Sequence, residues 1–160
     1  MVKKRFVLTL VLFSLVISVC ASGKENNSAI GQIRVSDNKE GGLAKLKALA
    51  GDDIDSSEGF FHYLPADGTG EVRIKLAYVK VDGKYAWFAG ECTQNGVNLI
   101  GRWFFGAVHD GGKPGKLVDH IWWEWLPDSD NARSVAKSKV ENFEIPAENK
   151  TIIDGDIAVK

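Results

Sequence analysis

A chain of 160 residues, 44% hydrophobic and 26% charged, is long enough for one domain with a full core and an ordinary charged surface. Its net charge of −1 lacks the excess of Lys and Arg that gripping a phosphate backbone requires, which argues against nucleic acid as a partner. With only two cysteines it is not a disulfide-rich scaffold.

Residues 1–21 read as a signal peptide. Lys3, Lys4 and Arg5 form a basic start, and the apolar run 6–19 is too short for a comfortable membrane span. Small residues near Ala21 favour cleavage after it. The rival is lipidation of Cys20, with cleavage before it, although Val19 is a poor residue just ahead of a lipidated cysteine. Either route exports the chain, to the periplasm or the extracellular space, free or lipid-anchored. Removing the signal takes away three positive charges and no negative ones, moving the net charge from −1 to −4. No transmembrane span is expected in the mature chain.

Residues 22–28 read as a polar tether, and 29–160 as a single β-rich domain. Residues 29–35 suit a short strand with Ile33 and Val35 on one side. In 41–50, Leu43, Leu46 and Ala50 fall at helical spacing and Gly51 can stop a helix, so a short N-terminal helix is predicted there. Residues 52–58 form an acidic loop without the ligand spacing of a calcium site.

Five Asx-Gly pairs follow, at Asp67, Asn95, Asp82, Asp110 and Asp154, and Asx-Gly favours tight hairpin turns. Runs of strand length lie between them, and Pro65, Pro114, Pro127 and Pro146 fall outside those runs, where a proline does not break the ladder. Residues 132–139 suit helix or loop, followed by a strand that includes Phe143 and Ile145, and 151–159 a short hairpin around Asp154-Gly155. The predicted fold is mainly β: an antiparallel up-and-down meander of six to eight strands curled into a barrel or calyx, with one short N-terminal helix. The alternative is α+β, with a helix packed on a bent antiparallel sheet.

If Asp82-Gly83 and Asn95-Gly96 are two-residue loops, Tyr78 faces Trp87, Ile74 faces Glu91 and Phe88 faces Trp103. Extending the ladder sets Phe104 opposite Trp122 and Arg102 opposite Glu124. A hairpin loop at Gly68 would set His62 opposite Ile74. Alternation then yields an aromatic stripe of Phe88, Trp103 and Trp123 on one face. The other face gathers Trp87, Glu91, Arg102, His120, Trp122 and Glu124. Both faces are too apolar for a sheet with one wet side, so either both are covered or one lines a cavity.

Those six residues are the candidate ligand site, an apolar lining with a few convergent polar groups. The structural alternative is a network in which Arg102 bridges Glu91 and Glu124. Trp122 and Trp125 are the tryptophans placed for exposure, near a strand end. A metal site from His62, Glu91, His120 and Glu124 is rejected, because sheet spacings spread them over roughly 10 Å or more. No catalytic residue and no cofactor is assigned. Glu91 and Glu124 suit a glycosidase poorly, since an intervening Arg102 would depress both carboxyls. Cys92 reads as a buried, inert thiol.

Three functions fit this sequence. The first is an exported, non-enzymatic module binding a small apolar or sugar-like ligand in the curled sheet, in a cavity lined by Trp87, Arg102 and Trp122. The second is a protein-interaction or envelope-assembly module without a small ligand. The third is a small hydrolase or isomerase using Glu91, Glu124 or His120.

Overall fold

The structure, a computed structural model, describes residues 27–36, 41–94, 98–112 and 119–160, with no account of the Ile153 side chain. The signal peptide, Cys20, most of the tether, Asn95-Gly96 and Pro114 lie outside these residues.

In Gly42–Leu49, Ala44, Leu46 and Ala48 are buried while Lys45 and Lys47 are exposed. That is the period of a strand. The helix predicted over 41–50 is therefore corrected to strand β2. Its two periodicities compete in the sequence, and pairing with a strand on each side settles the contest, because a strand there completes two ladders.

The described elements are β1 (Ser28–Val35), β2, a short 3-10 helix (Ile54–Ser56), β3 (Glu58–Leu64), β4 (Val72–Asp82), β5 (Tyr85–Gln94), β6 (Trp103–His109), β7 (His120–Trp125), helix α1 (Ala132–Glu141), the two-residue β8 (Asn149–Lys150) and β9 (Ile152–Val159). The mainly β, antiparallel, curled architecture is as expected: nine strands form one half-barrel sheet in the order β8-β7-β6-β5-β4-β3-β2-β1-β9. Each strand from β1 to β8 pairs with its neighbour in the meander, and β9 adds to the far edge on β1. The hairpin expected over 151–159 is corrected to the continuous strand β9. Gly155 has φ 102°, and a side chain there would meet the Gln32 carbonyl, so Asp154-Gly155 serves a close approach between strands rather than a turn.

Only Thr151 separates β8, at one edge, from β9, at the other, so the chain itself draws the two edges together. Elsewhere along the seam, carboxylates take over. Asp119, only 7% exposed, accepts from Ile157 N–H (3.0 Å) and Gly111 N–H (2.8 Å), and Asp110 accepts from Val159 N–H (3.1 Å). The bonds from Ile157 and Val159 satisfy donors that the edge strand β9 would otherwise leave bare.

The concave side holds one continuous core, including Ile33, Leu46, Phe61, Ile74, Leu76, Phe88, Phe104, Val108, Ile121, Trp123 and Ile157. Phe61 stacks on Phe104 (4.9 Å between ring centroids) and lies near Trp123 (5.4 Å). Gly106 leaves room for the Phe88 ring, whose nearest atom would lie 2.5 Å from a Cβ placed there.

A second cluster lies on the convex side under α1: Tyr78, Trp87, Ala89, Phe105, Ala107, Leu126, Ala136 and Val140. The helix buries Ala132, Ala136 and Val140, a spacing of four that makes one apolar stripe. So the single described α-helix lies near the C-terminus, starting in the stretch read as helix or loop, and not near the N-terminus. The strand expected after it is corrected to a connection, residues 142–148 linking α1 to β8. Tyr78 reaches the convex cluster because β4 carries an irregularity between Leu76 and Tyr78. Leu76 points into the concave core, and after the extra residue Tyr78 points outward.

At its end, α1 closes with Glu144 N–H on Lys139 O (3.0 Å) and Phe143 N–H on Val140 O (3.3 Å), the paired bonds of a Schellman cap. Phe143 occupies the left-handed position, φ 56°, that glycine usually takes. Its ring lies edge-on to Trp87 (4.8 Å) with Lys80 Nζ over it (3.9 Å).

Candidate functional site

The candidate residues depend on register, and the observed register differs from the expected one. Asp82 pairs with Tyr85, so the turn is Gly83-Lys84, with Gly83 supplying the positive φ of 57°. Asp67-Gly68 is no two-residue hairpin loop either: residues 65–71 connect β3 to β4 through a turn in which Gly68 N–H donates to Pro65 O (3.4 Å), and His62 pairs with Arg73 rather than Ile74. Between β5 and β6 the chain spans 95–102, and Phe88 pairs with Gly106 rather than Trp103. That shift of three residues is odd, so it exchanges the two faces of β6. Phe104 then faces Trp125 rather than Trp122.

Trp87 lies on the convex face under the helix end, stacked near Tyr85 (5.5 Å). Trp122 is half-buried and lies 5.3 Å from the His120 ring, which is exposed. Glu124 pairs with Lys139 of α1 (3.1 Å). Glu91 is exposed and pairs in register with Lys75 and Trp103. Arg102 precedes β6, donates from Nη2 to Leu126 O (2.9 Å) and lies 5.9 Å from the Trp125 ring. Among the described residues no ion pair joins Arg102 to Glu91 or Glu124. The six residues therefore do not converge, and no described cleft is lined by Trp87, Arg102 and Trp122 together.

A different cleft, of about 250 Å³, opens at one end of the half-barrel. Its walls are Phe61, Tyr63, Phe104, Trp123 and Trp125 from β3, β6 and β7, with Leu99 and Val72 beside them. These residues meet because Phe61 and Tyr63, and likewise Trp123 and Trp125, are two apart and share the concave face. Tyr63 and Trp123 lie 5.2 Å apart, and Phe104 meets Trp125 edge-on at 5.4 Å. The rim is polar: Thr69, Glu124, Glu148 and Lys150 border it. Lys150 Nζ bonds Glu148 (2.9 Å) and lies 5.3 Å from the Trp123 ring. Of the predicted set only Glu124 borders this cleft. Trp125, placed at the strand end for exposure, is half-buried on its wall. Phe61 and Tyr63 were missed, and their signal was available as two aromatics at strand period just ahead of Pro65.

Cys92 is buried and free, and burial pushes its thiol up from the ordinary range, away from nucleophilic use. Among the described residues no group of three or more His, Cys, Asp or Glu is placed to hold a metal ion. No described helix is long and apolar enough to cross a membrane. Comparison with protein-family models, curated proteins and solved structures finds no match to this chain.

Proposed function

We infer that the chain is an exported, non-enzymatic module that binds one small ring-shaped ligand, apolar or sugar-like, in the aromatic cleft at the end of the half-barrel. The observation that carries this reading is the meeting of Tyr63, Trp123 and Trp125 around an open concavity with a polar rim. Tyr and Trp offer a flat apolar face and a polar edge, which suits a half-wet site. The size argues for one ring: about 250 Å³ falls below the roughly 300–1,000 Å³ of sites for drug-sized molecules, so an extended lipid does not fit. Lys150, Glu148 and Thr69 stand where they can bond a ligand's hydroxyl or carboxyl groups.

The test is a tryptophan-fluorescence titration of the full chain with neutral monosaccharides and indole-sized aromatics, repeated for Trp125→Ala and for Trp122→Ala, whose side chain lies on the other face. Binding weakened about tenfold by Trp125→Ala alone supports the cleft. A panel without saturable binding, or equal loss in both variants, overturns it.

A further inference from the structure

The convex face of β2, β3 and β4 carries a second feature, unconnected with the aromatic cleft. In register, Lys47 faces Phe60, which faces Lys75; in the next outward row Lys45 faces His62, which faces Arg73. Lys45, Lys47, Arg73 and Lys75 are all exposed, and Phe60 is 45% exposed between two of them. Neighbouring strands lie about 4.8 Å apart and alternate residues about 7 Å apart, so four cations occupy a patch on the order of 10 Å across. Three carboxylates border the patch: Glu91, exposed, faces Lys75 in register, Glu58 is exposed two residues before Phe60, and Glu71 is engaged within it. Glu71 contacts His62 and pairs with Arg73 (3.0 Å). Burial pushes its carboxyl up, but His62 and Arg73 outweigh this and hold it below the usual range. Four cations thus stand against three carboxylates, and Lys45 and Lys47 face no carboxylate in register.

On its β4 side the patch is hollowed: a trough of about 400 Å³ is lined by Phe60, His62, Arg73, Lys75 and Thr93, with Lys45 and Lys47 beyond its edge. A membrane surface is flat and would call for apolar side chains standing out beyond the cations, whereas Phe60 lines the trough alongside Arg73 and Lys75. A nucleic acid strand would call for several stacking aromatics, and this trough offers Phe60 alone on its exposed side.

We propose that the outer face of β2–β4 is a binding groove for an acidic polysaccharide, with Phe60 as the platform for one sugar ring and Lys45, Lys47, Arg73 and Lys75 holding the acidic groups on either side. Cations on two strands flanking an aromatic match a chain of alternating ring faces and charges. The Thr93 hydroxyl and His62 lie where sugar hydroxyls would pass.

The experiment is calorimetric titration of the full chain with oligogalacturonate at low and high salt, with dextran, a single-stranded polynucleotide and anionic phospholipid vesicles as comparison probes. Lys3, Lys4 and Arg5 are common to every variant, so differences report on the groove. Binding to oligogalacturonate that weakens with salt, and falls about tenfold or more in the Lys47→Glu/Lys75→Glu double variant, is expected. Phe60→Ser, which keeps every charge, is expected to weaken it as well, and Trp125→Ala to leave it unchanged. Retained thermal unfolding midpoints show that the variants still fold. Equal binding to dextran, tighter binding to polynucleotide or vesicles, or unaltered affinity in the folded double variant overturns the proposal.

Discussion

Asp119 is the residue whose removal should most directly weaken the curled sheet. Its carboxylate is almost fully enclosed and accepts two backbone N–H bonds, one from the β6–β7 connection and one from the edge strand β9. A hydrogen bond to a charged group contributes about 1.5–3 kcal/mol, and an abandoned buried donor costs about 1–3 kcal/mol. Against this stands the relief of Asp156, which Asp119 repels. Asp119→Ala loses both bonds and strands the buried Ile157 N–H, so a net loss of about 3 kcal/mol is expected. For a chain of this size that lowers the thermal midpoint by roughly 6–12 °C. Asp119→Asn keeps one acceptor oxygen and should lose about half as much. Urea unfolding with comparison of midpoint and slope measures the loss, and hydrogen exchange at Ile157 locates it. An Asp119→Ala protein within about 0.5 kcal/mol of the parent, with Ile157 equally protected, would refute the seam assignment.

Two further outcomes follow from the same geometry. Asp156 is pushed above the ordinary carboxyl range by burial first, then by Asp119 and Asp110. A folded-state value above the unfolded one means its contribution is full below the ordinary aspartate value and is lost as pH rises through the raised one. Asp156→Asn should therefore raise the urea midpoint near pH 7 and leave it nearly unchanged near pH 3; a lower midpoint near neutrality would contradict this. Gly106→Ala should cost about 1–3 kcal/mol by overpacking, because the Phe88 ring would lie 2.5 Å from the added carbon and is itself wedged between Phe61 and Phe104. An unchanged unfolding midpoint would show that the ring can move aside.

Much of the fold was legible because strand alternation and proline placement agree with each other. Ile33 and Val35 mark one face of β1, and Pro65, Pro127 and Pro146 fall outside every strand. Where the reading failed, two local signals competed. Residues 42–49 carry both helical and strand spacing, and only the ladders on either side decide between them. The site failed for a sharper reason. Face assignments carried along a meander depend on parity, and a single odd shift reverses everything beyond it. Ala77 adds such a shift in β4, and the connection 95–102 adds another before β6. The β6–β7 register adds a third, which cancels the second, so β6 alone changes face. The site fails because Arg102 lies outside the sheet and α1 packs on the face that Trp87 shares with Trp122. The line from Glu91 through Arg102 to Glu124 existed only in the uncorrected register. The expectation that both faces are covered, or that one lines a cavity, needed only composition. The concave face is a packed core, and the convex face is covered under α1 and exposed over β2–β4.

Native mass spectrometry of protein recovered from its own host reads the cleft most directly. The expected spectrum carries one reproducible adduct of single-ring mass, lost in Trp125→Ala and kept in Trp122→Ala. A clean apo mass, or an adduct indifferent to Trp125, would contradict a ligand held between Tyr63, Trp123 and Trp125.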